Sequence, residues 1–331
     1  MWRQFWLIAL MLFYVPTVLA QTDSLEDLIA EQRRLLQEQV SNSSIGAGYA
    51  HMLNFFIEPS ISASRLDTED ADYDVFKLPI QYEITGEDGG PDILLRATFS
   101  HATAEETFSL IEGETIDGEW SADSGGLGAG LRWPVSERLA LLLGAEVGVS
   151  RLRSDADYNG PLGQILLAPV ADGVLFNWDT NAWLAGVVTG LDYGWRWRER
   201  YELTAKGRYT YSHIASYSES RDLPGFSENT GTASLKLDLK HPMPFTLWDR
   251  PMFGIANVGA TAFTGNNRDA LGFTHFYDVG YSVGIDLSEK SRYLQDISIG
   301  YQVSTGADVD GYSILVGWTF KRPKVASRGE F

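Results

Sequence analysis

The chain contains no cysteine. That excludes a disulfide framework and a lipid-modified N-terminal cysteine. Positive charge is scarce, with 26 Lys and Arg against 44 Asp and Glu. Such acidity opposes the phosphate contacts on which nucleic-acid binding depends, so no nucleic-acid partner is expected. Long apolar runs are missing beyond the first twenty residues. No interior segment approaches the ~20 residues of a membrane-spanning helix. Histidine is limited to His51, His101, His213, His241 and His275, which leaves little material for acid–base chemistry.

What is present begins with the leader. Arg3 is the sole charge among residues 1–20, Phe5 to Val15 is apolar, and Val18-Leu19-Ala20 has the small-residue pattern of a cleavage site. This predicts a signal peptide removed after Ala20. A membrane anchor is the rival, and the run is short for it. Without Arg3 the chain carries 25 basic and 44 acidic residues. The acidity does not signal disorder, because 10 Trp, 15 Tyr and 16 Phe accompany 33 Gly. That mixture suits a membrane barrel with aromatic girdles and a crowded interior.

Residues 181–213 make the strongest case. Trp183, Ala185, Val187, Leu191, Tyr193, Trp195 and Trp197 alternate with Gly186, Gly190, Asp192, Gly194 and Arg196, and Arg198 continues the polar set. After Glu199-Arg200, Tyr201, Leu203, Ala205, Tyr209 and Tyr211 alternate with Glu202, Thr204, Lys206, Arg208, Thr210 and Ser212. A period of two puts each set on one strand face. Both strands far exceed the ~5–6 residues usual in soluble sheets. Rings outside and charges in a wet lumen is the outer-membrane barrel pattern. A soluble β-sandwich or lipocalin-like carrier would alternate similarly, but with its apolar face inward.

The same texture predicts twelve antiparallel strands, near 45–64, 73–85, 93–111, 126–135, 139–151, 181–198, 201–213, 230–241, 252–263, 275–287, 294–304 and 311–320. An even count is expected of a single-chain bacterial barrel. Tight turns at 136–138 and 199–200 alternate with long loops at 112–125, 152–180 and 214–229, as periplasmic turns alternate with outside loops. On this assignment the six outside connections carry 19 acidic and 4 basic residues, so most of the negative charge lies on the outer face. The tail, 321–331, is basic and periplasmic.

Residues 21–44 differ. Asp23 or Ser24 can cap a helix. Leu25, Leu28, Ile29, Leu35, Leu36 and Val40 recur at helical spacing. Acidic residues open this helix, and Arg33 and Arg34 follow in its second half, which suits the helix dipole. Directly preceding strand one, the helix can enter the lumen, where Glu146, Asp192, Arg196, Arg198, Glu202, Lys206 and Arg208 face inward. These charges either grip the helix or line a water-filled channel. Twelve strands fall between the filled eight-strand barrel and the open pore of 16–18. The helix's apolar stripe also permits a position on the membrane surface.

Catalytic readings fare poorly. Ser212 and His213 are adjacent, so they point to opposite faces and cannot pair as nucleophile and base. The acidic run Glu112, Glu114, Asp117, Glu119 and Asp123 has oxygen ligands suited to Ca²⁺ or Mg²⁺ but lacks EF-hand spacing. No catalytic residue, cofactor or metal site is assigned. The final strand, with Tyr312, Ile314, Val316, Trp318 and Phe320 on one face, resembles the closing strand read by the barrel-assembly machinery. Expected partners are that machinery, outer-membrane lipid and lipopolysaccharide, around a monomer.

Twelve strands, a preceding helix and an aromatic-ended closing strand resemble the autotransporter β-domain, a translocator with a helix in its pore. With only residues 21–22 between the cleavage site and the helix, the chain is most similar to the solitary outer-membrane autotransporter-like β-barrel family, a translocator without passenger. The resemblance implies a structural, transport or translocation role without catalysis. A narrow passive channel is the runner-up, and an outer-membrane protease or phospholipase is the third reading.

Overall fold

Period-two alternation over so many segments can satisfy every backbone group in a bilayer only if the sheet closes. It does. A computed structural model describes residues 25–41 and 63–320, apart from 70, 87–89, 112–113, 162, 199–200, 220–224, 266–267 and 269. Twelve strands run β1 Ala63–Thr68, β2 Asp72–Ile84, β3 Asp92–Ile111, β4 Glu114–Pro134, β5 Leu139–Asn159 and β6 Trp178–Trp197, then β7 Tyr201–Glu219, β8 Ser227–Leu247, β9 Arg250–Gly265, β10 His275–Asp286, β11 Leu294–Thr305 and β12 Val309–Phe320. Each strand pairs antiparallel with its sequence neighbours, and β1 pairs with β12 to close the barrel. Helix α1 is Leu25–Ser41, and a π-helical turn at Gly163–Leu167 leads into a short helix α2, Ala168–Ala171. No helix among the described residues is long and apolar enough to cross a membrane.

The two faces separate as the alternation predicts. Leu127, Val147 and Ile299 point outward and are 65%, 59% and 62% exposed, whereas Leu152, Ser154 and Ser212 point inward and are fully buried. An exposed apolar belt of this extent has to be covered by lipid, since soluble chains leave only small patches bare. Trp195 packs on Trp197 at 5.1 Å, and Trp197 on Tyr201 at 5.4 Å, which forms part of an aromatic girdle at the hairpin end of the belt.

The strands outrun the sequence expectation. Residues 114–125, read as part of a long loop, are the first half of β4. Strand β5 continues to Asn159, β6 begins at Trp178, β7 reaches Glu219 and β8 spans Ser227–Leu247. The connections at that end reduce to 69–71, 112–113, 160–177, 220–226, 266–274 and 306–308. The supposed short-turn and long-loop rhythm is therefore largely strand that continues beyond the bilayer, which needs only ~9–11 residues. Above the lipid the outward positions become polar, as with Asp117, Glu119, Ser121 and Asp123. The inward Ile116, Trp120 and Ala122 keep the period. The predicted strand one, 45–64, is described only from Ala63 and extends to Thr68. Its earlier part, the leader, the turn at 199–200 and the tail lie outside the described residues.

The longest connection, 160–177, marks the outer end of the barrel. The wall there is uneven. Asp72, which opens β2, pairs with Glu105, and β3 continues six residues further to Ile111. That is about 20 Å of additional strand at the usual rise. Just above the lipid a single register line joins carboxylates on six neighbouring strands, Asp310, Asp67, Asp72, Glu105, Glu119 and Asp155. Arg65 offsets two of them, 3.1 Å from Asp67 and 3.0 Å from Asp72.

Candidate functional site: the lumen and its plug

The inward face changes character along the barrel axis. In the periplasmic half it is charged, and many of the charges form ion pairs. Arg132 lies 2.6 Å from Glu83 and 2.7 Å from Asp92, and Arg196 lies 3.0 Å from Glu202. Arg208 pairs with Asp192 on the neighbouring strand. Lys240 reaches 3.0 Å from Asp296, three strands away, with its ammonium 3.7 Å above the Phe253 ring. One glycine is required for this layer. A side chain at Gly190 would meet the Gly207 carbonyl oxygen at 2.5 Å and Arg208 at 2.8 Å. Its absence lets the guanidinium lie across β6, where Arg208 Nη1 also donates to the Leu191 carbonyl at 3.2 Å.

The outer half holds the apolar core. Strand residues Leu66, Leu152, Leu184 and Ile214 face inward, and residues of the connections fold in to meet them. Segment 160–177 contributes Leu167, Ala171 and Phe176, and segment 266–274 contributes Leu271 and Phe273. Phe176 packs among Phe108, Trp120 and Tyr158 with ring centroids 5.9–6.3 Å away. Phe273 packs among Phe263, Phe276 and Tyr73 in the same manner.

Polar latches hold both segments. Tyr158 donates to Asp172 at 2.8 Å, and Asn177 Nδ2 donates to the same carboxylate at 2.7 Å. The Gly163 amide donates to Glu114 at 3.0 Å, and the Tyr73 hydroxyl donates to the Leu271 carbonyl at 3.2 Å. Gly160 turns the chain with φ +98°, and any side chain there would collide with the Glu114 carboxylate. Tyr158 stands above the lipid belt. Burial, assisted by its bond to Asp172, pushes its hydroxyl well above the usual tyrosine range.

Helix α1 rests against α2 of the plug. Among its described side chains Leu28 and Leu36 are buried, and Arg33 Nη1 donates to the Pro169 carbonyl at 3.0 Å. The charges expected to meet the helix are thus disposed in several ways. Arg33 reaches the plug, and Arg34 pairs with Glu31 of its own helix at 2.7 Å. Asp192 pairs with Arg208, and Arg196 with Glu202, within the wall. Glu146 faces inward between Gly128 and Gly186, and Lys206 stands between Asp192 and Lys236 in the register. Arg198 departs from expectation, because β6 ends at Trp197 and Arg198 turns the chain with φ +50°, exposed beyond the lumen wall. The plug residues Leu167, Phe176, Leu271 and Phe273 were not anticipated. The available signal was an apolar composition, Ile165-Leu-Leu167 and Val174-Leu-Phe176, inside a segment read as an aqueous loop.

No nucleophile–base pair arises at Ser212. Ser212 is buried inward, while the ring of His213 lies 5.2 Å from that of Trp183 on the outer face. Among the described residues no group of three or more His, Asp and Glu is arranged to hold a metal ion. On the closing strand, Tyr312, Ile314 and Val316 are exposed to lipid, Trp318 and Phe320 are half-buried, and the Phe320 ring meets Tyr82 edge-on at 6.5 Å.

A closed twelve-strand barrel with a lipid belt, a charged lumen and an N-terminal helix defines an outer-membrane barrel of the autotransporter type. The chain belongs to the solitary outer membrane autotransporter β-barrel domain family, whose sequence model matches residues 62–319. Its fold is shared with the β domain of the Bordetella autotransporter BrkA, at 12% identity and a TM-score of 0.51, covering 77% of this chain and 94% of that one. The translocator domain of the autotransporter NalP from Neisseria meningitidis aligns at 12% identity and a TM-score of 0.46, over 82% of this chain and 92% of that one. No curated protein matches the sequence.

Proposed function

We propose that the protein is a gated outer-membrane conduit of translocator type, held shut by its own outer segments and acting without catalysis. The observation that carries this reading is the division of the lumen. A charged, ion-paired layer opens toward the periplasm, while the outer half is closed by an apolar plug that helix α1 touches through Arg33 and Pro169. Charged walls solvate a passing polar chain or solute. An apolar plug excludes ions, since a charge entering it loses its hydration without a partner. The likeness to translocator barrels supports the conduit. The separation of Ser212 from His213 supports a role other than hydrolysis.

Planar-bilayer recording tests the reading with the purified full chain. The intact barrel is expected to be nearly silent. Replacing residues 163–173 by a short Gly-Ser link should produce stable single-channel openings, and deleting residues 21–44 should raise the opening frequency. If the link variant folds, as judged by heat-modifiable migration, yet remains silent, the lumen is a packed scaffold and the conduit reading fails.

A further inference from the structure

The outer wall carries a second site, on the face toward lipid rather than toward the lumen. The register fixes where the bilayer ends on strands β3 to β6. Phe99, Gly125, Val149 and Trp183 form one outward line across these strands. One step outward, the line reads His101, Asp123, Arg151 and Asn181. Apolar side chains therefore give way to hydrogen-bonding ones within a single residue pair, as at the boundary between acyl chains and head groups.

A groove of about 560 Å³ crosses that boundary. Its floor exists because Gly125 points outward between two large neighbours. A side chain there would make only an ordinary van der Waals contact with the Phe99 ring, at 3.9 Å, so the glycine leaves a dent. Phe76 and Tyr217 line its sides, both 55% exposed. The upper rim is polar. His101 Nδ1–H donates to Asp123 at 2.8 Å, and Arg151 donates to Asp179 at 3.0 Å. Both pairs remain about half exposed. Arg151 is half exposed and carries five guanidinium N–H donors, more than its bond to Asp179 uses, and Asp123 and Asn181 add acceptors beside it.

We infer that this groove binds one phosphorylated glycolipid of the outer leaflet, with an acyl chain on the Gly125 floor and a sugar-phosphate head group on the Arg151 rim. The occupant follows from complementarity. The floor lies inside the lipid belt, so a hydrocarbon chain must cover it. The rim alternates donors and acceptors, His101, Asp123, Arg151 and Asn181, which suits hydroxyl-bearing sugars. The Arg151 guanidinium, beyond its bond to Asp179, has donors that match phosphate oxygens. A simple phospholipid would fill the floor but use little of the rim.

The test uses the full barrel, incubated with phospholipid vesicles containing bisphosphorylated lipid A, extracted in mild detergent and weighed by native mass spectrometry. One lipid A per barrel is expected on the unaltered protein. Gly125→Leu fills the floor, and Arg151→Glu repels phosphate. Each should lower retention at least tenfold, while Val279→Leu on the opposite wall leaves it unchanged. Heat-modifiable migration confirms that each variant folds. Equal retention by all four proteins, or no retention by any folded one, overturns the site. So does displacement of lipid A by phosphatidylglycerol or inorganic phosphate at equal concentration, which would make the groove an unselective lipid or anion surface.

Discussion

Tyr158 carries more of the plug than its size suggests. Its ring abuts Phe176 at 6.3 Å and its hydroxyl donates to Asp172, whose carboxylate also receives Asn177. Removing the hydroxyl leaves Asp172 one donor short beside an apolar cluster. Tyr158→Phe should loosen residues 163–177 by about 1 kcal/mol, the usual net worth of one hydrogen bond, seen as faster amide exchange there than in the strands. The sign of the pH response follows from the raised ionisation of this hydroxyl. The latch is indifferent to pH while free tyrosine is protonated. It weakens as pH rises past about 10, where the released hydroxyl ionises and the latched one does not. Protection in 163–177, with the base-catalysed intrinsic rate divided out, should fall above that pH in the unaltered chain and much less in the Phe variant. At the other end of the barrel, Phe320 contacts Tyr82 across the closing seam, whereas Phe331 follows Lys321-Arg322-Pro323. Phe320→Ala should slow appearance of the heat-modifiable form in cells more than Phe331→Ala, and equal delays would remove the assembly role assigned to β12.

At the scale of elements, strands over lipid were legible because period-two alternation there contrasts rings with glycines and charges. In β6 and β7 nearly every residue declares its face. The same strands became illegible above the bilayer. There the outward side chains turn polar, so Asp117-Gly-Glu119 and Ser154-Asp-Ala-Asp157 read as loop, while the inward Ile116, Trp120 and Leu152 carried the period more faintly. Helix α1 was readable from its leucine spacing, but its partner was not. Nothing in Arg33 points to the Pro169 carbonyl rather than to a wall carboxylate, because that contact depends on a loop folding inward. The extended strands also set carboxylates directly opposite one another, which destabilises a sheet. Glu105 faces Glu119, and Asp117 faces Asp157. Salt screens such repulsion, with a Debye length near 10 Å at 0.1 M. Amide exchange in 114–123 and 151–159 should therefore slow as sodium chloride rises from 10 mM to 0.5 M, with the lipid-embedded half of each strand unaffected. No change in the outer half would mean that the carboxylates are already neutralised by bound counterions.

For the whole molecule, the barrel divides its work by depth. Lipid contact is outward, the inward ion pairs gather toward the periplasm, and the inward apolar packing lies toward the outside. That layering suits an outer-membrane barrel of the autotransporter family and puts the apolar packing at the outer mouth. The uneven wall decides how that mouth can be approached. With β3, β4 and β5 standing some 20 Å of strand above β2, the outer opening is screened on one flank by a rigid, acidic parapet and left low on the flank of β1, β11 and β12. A large body approaching from the side of β3 to β5 would meet that wall, and its line of carboxylates, before it reached the opening. From the low flank of β1, β11 and β12 the packed connections at the mouth lie nearer the rim.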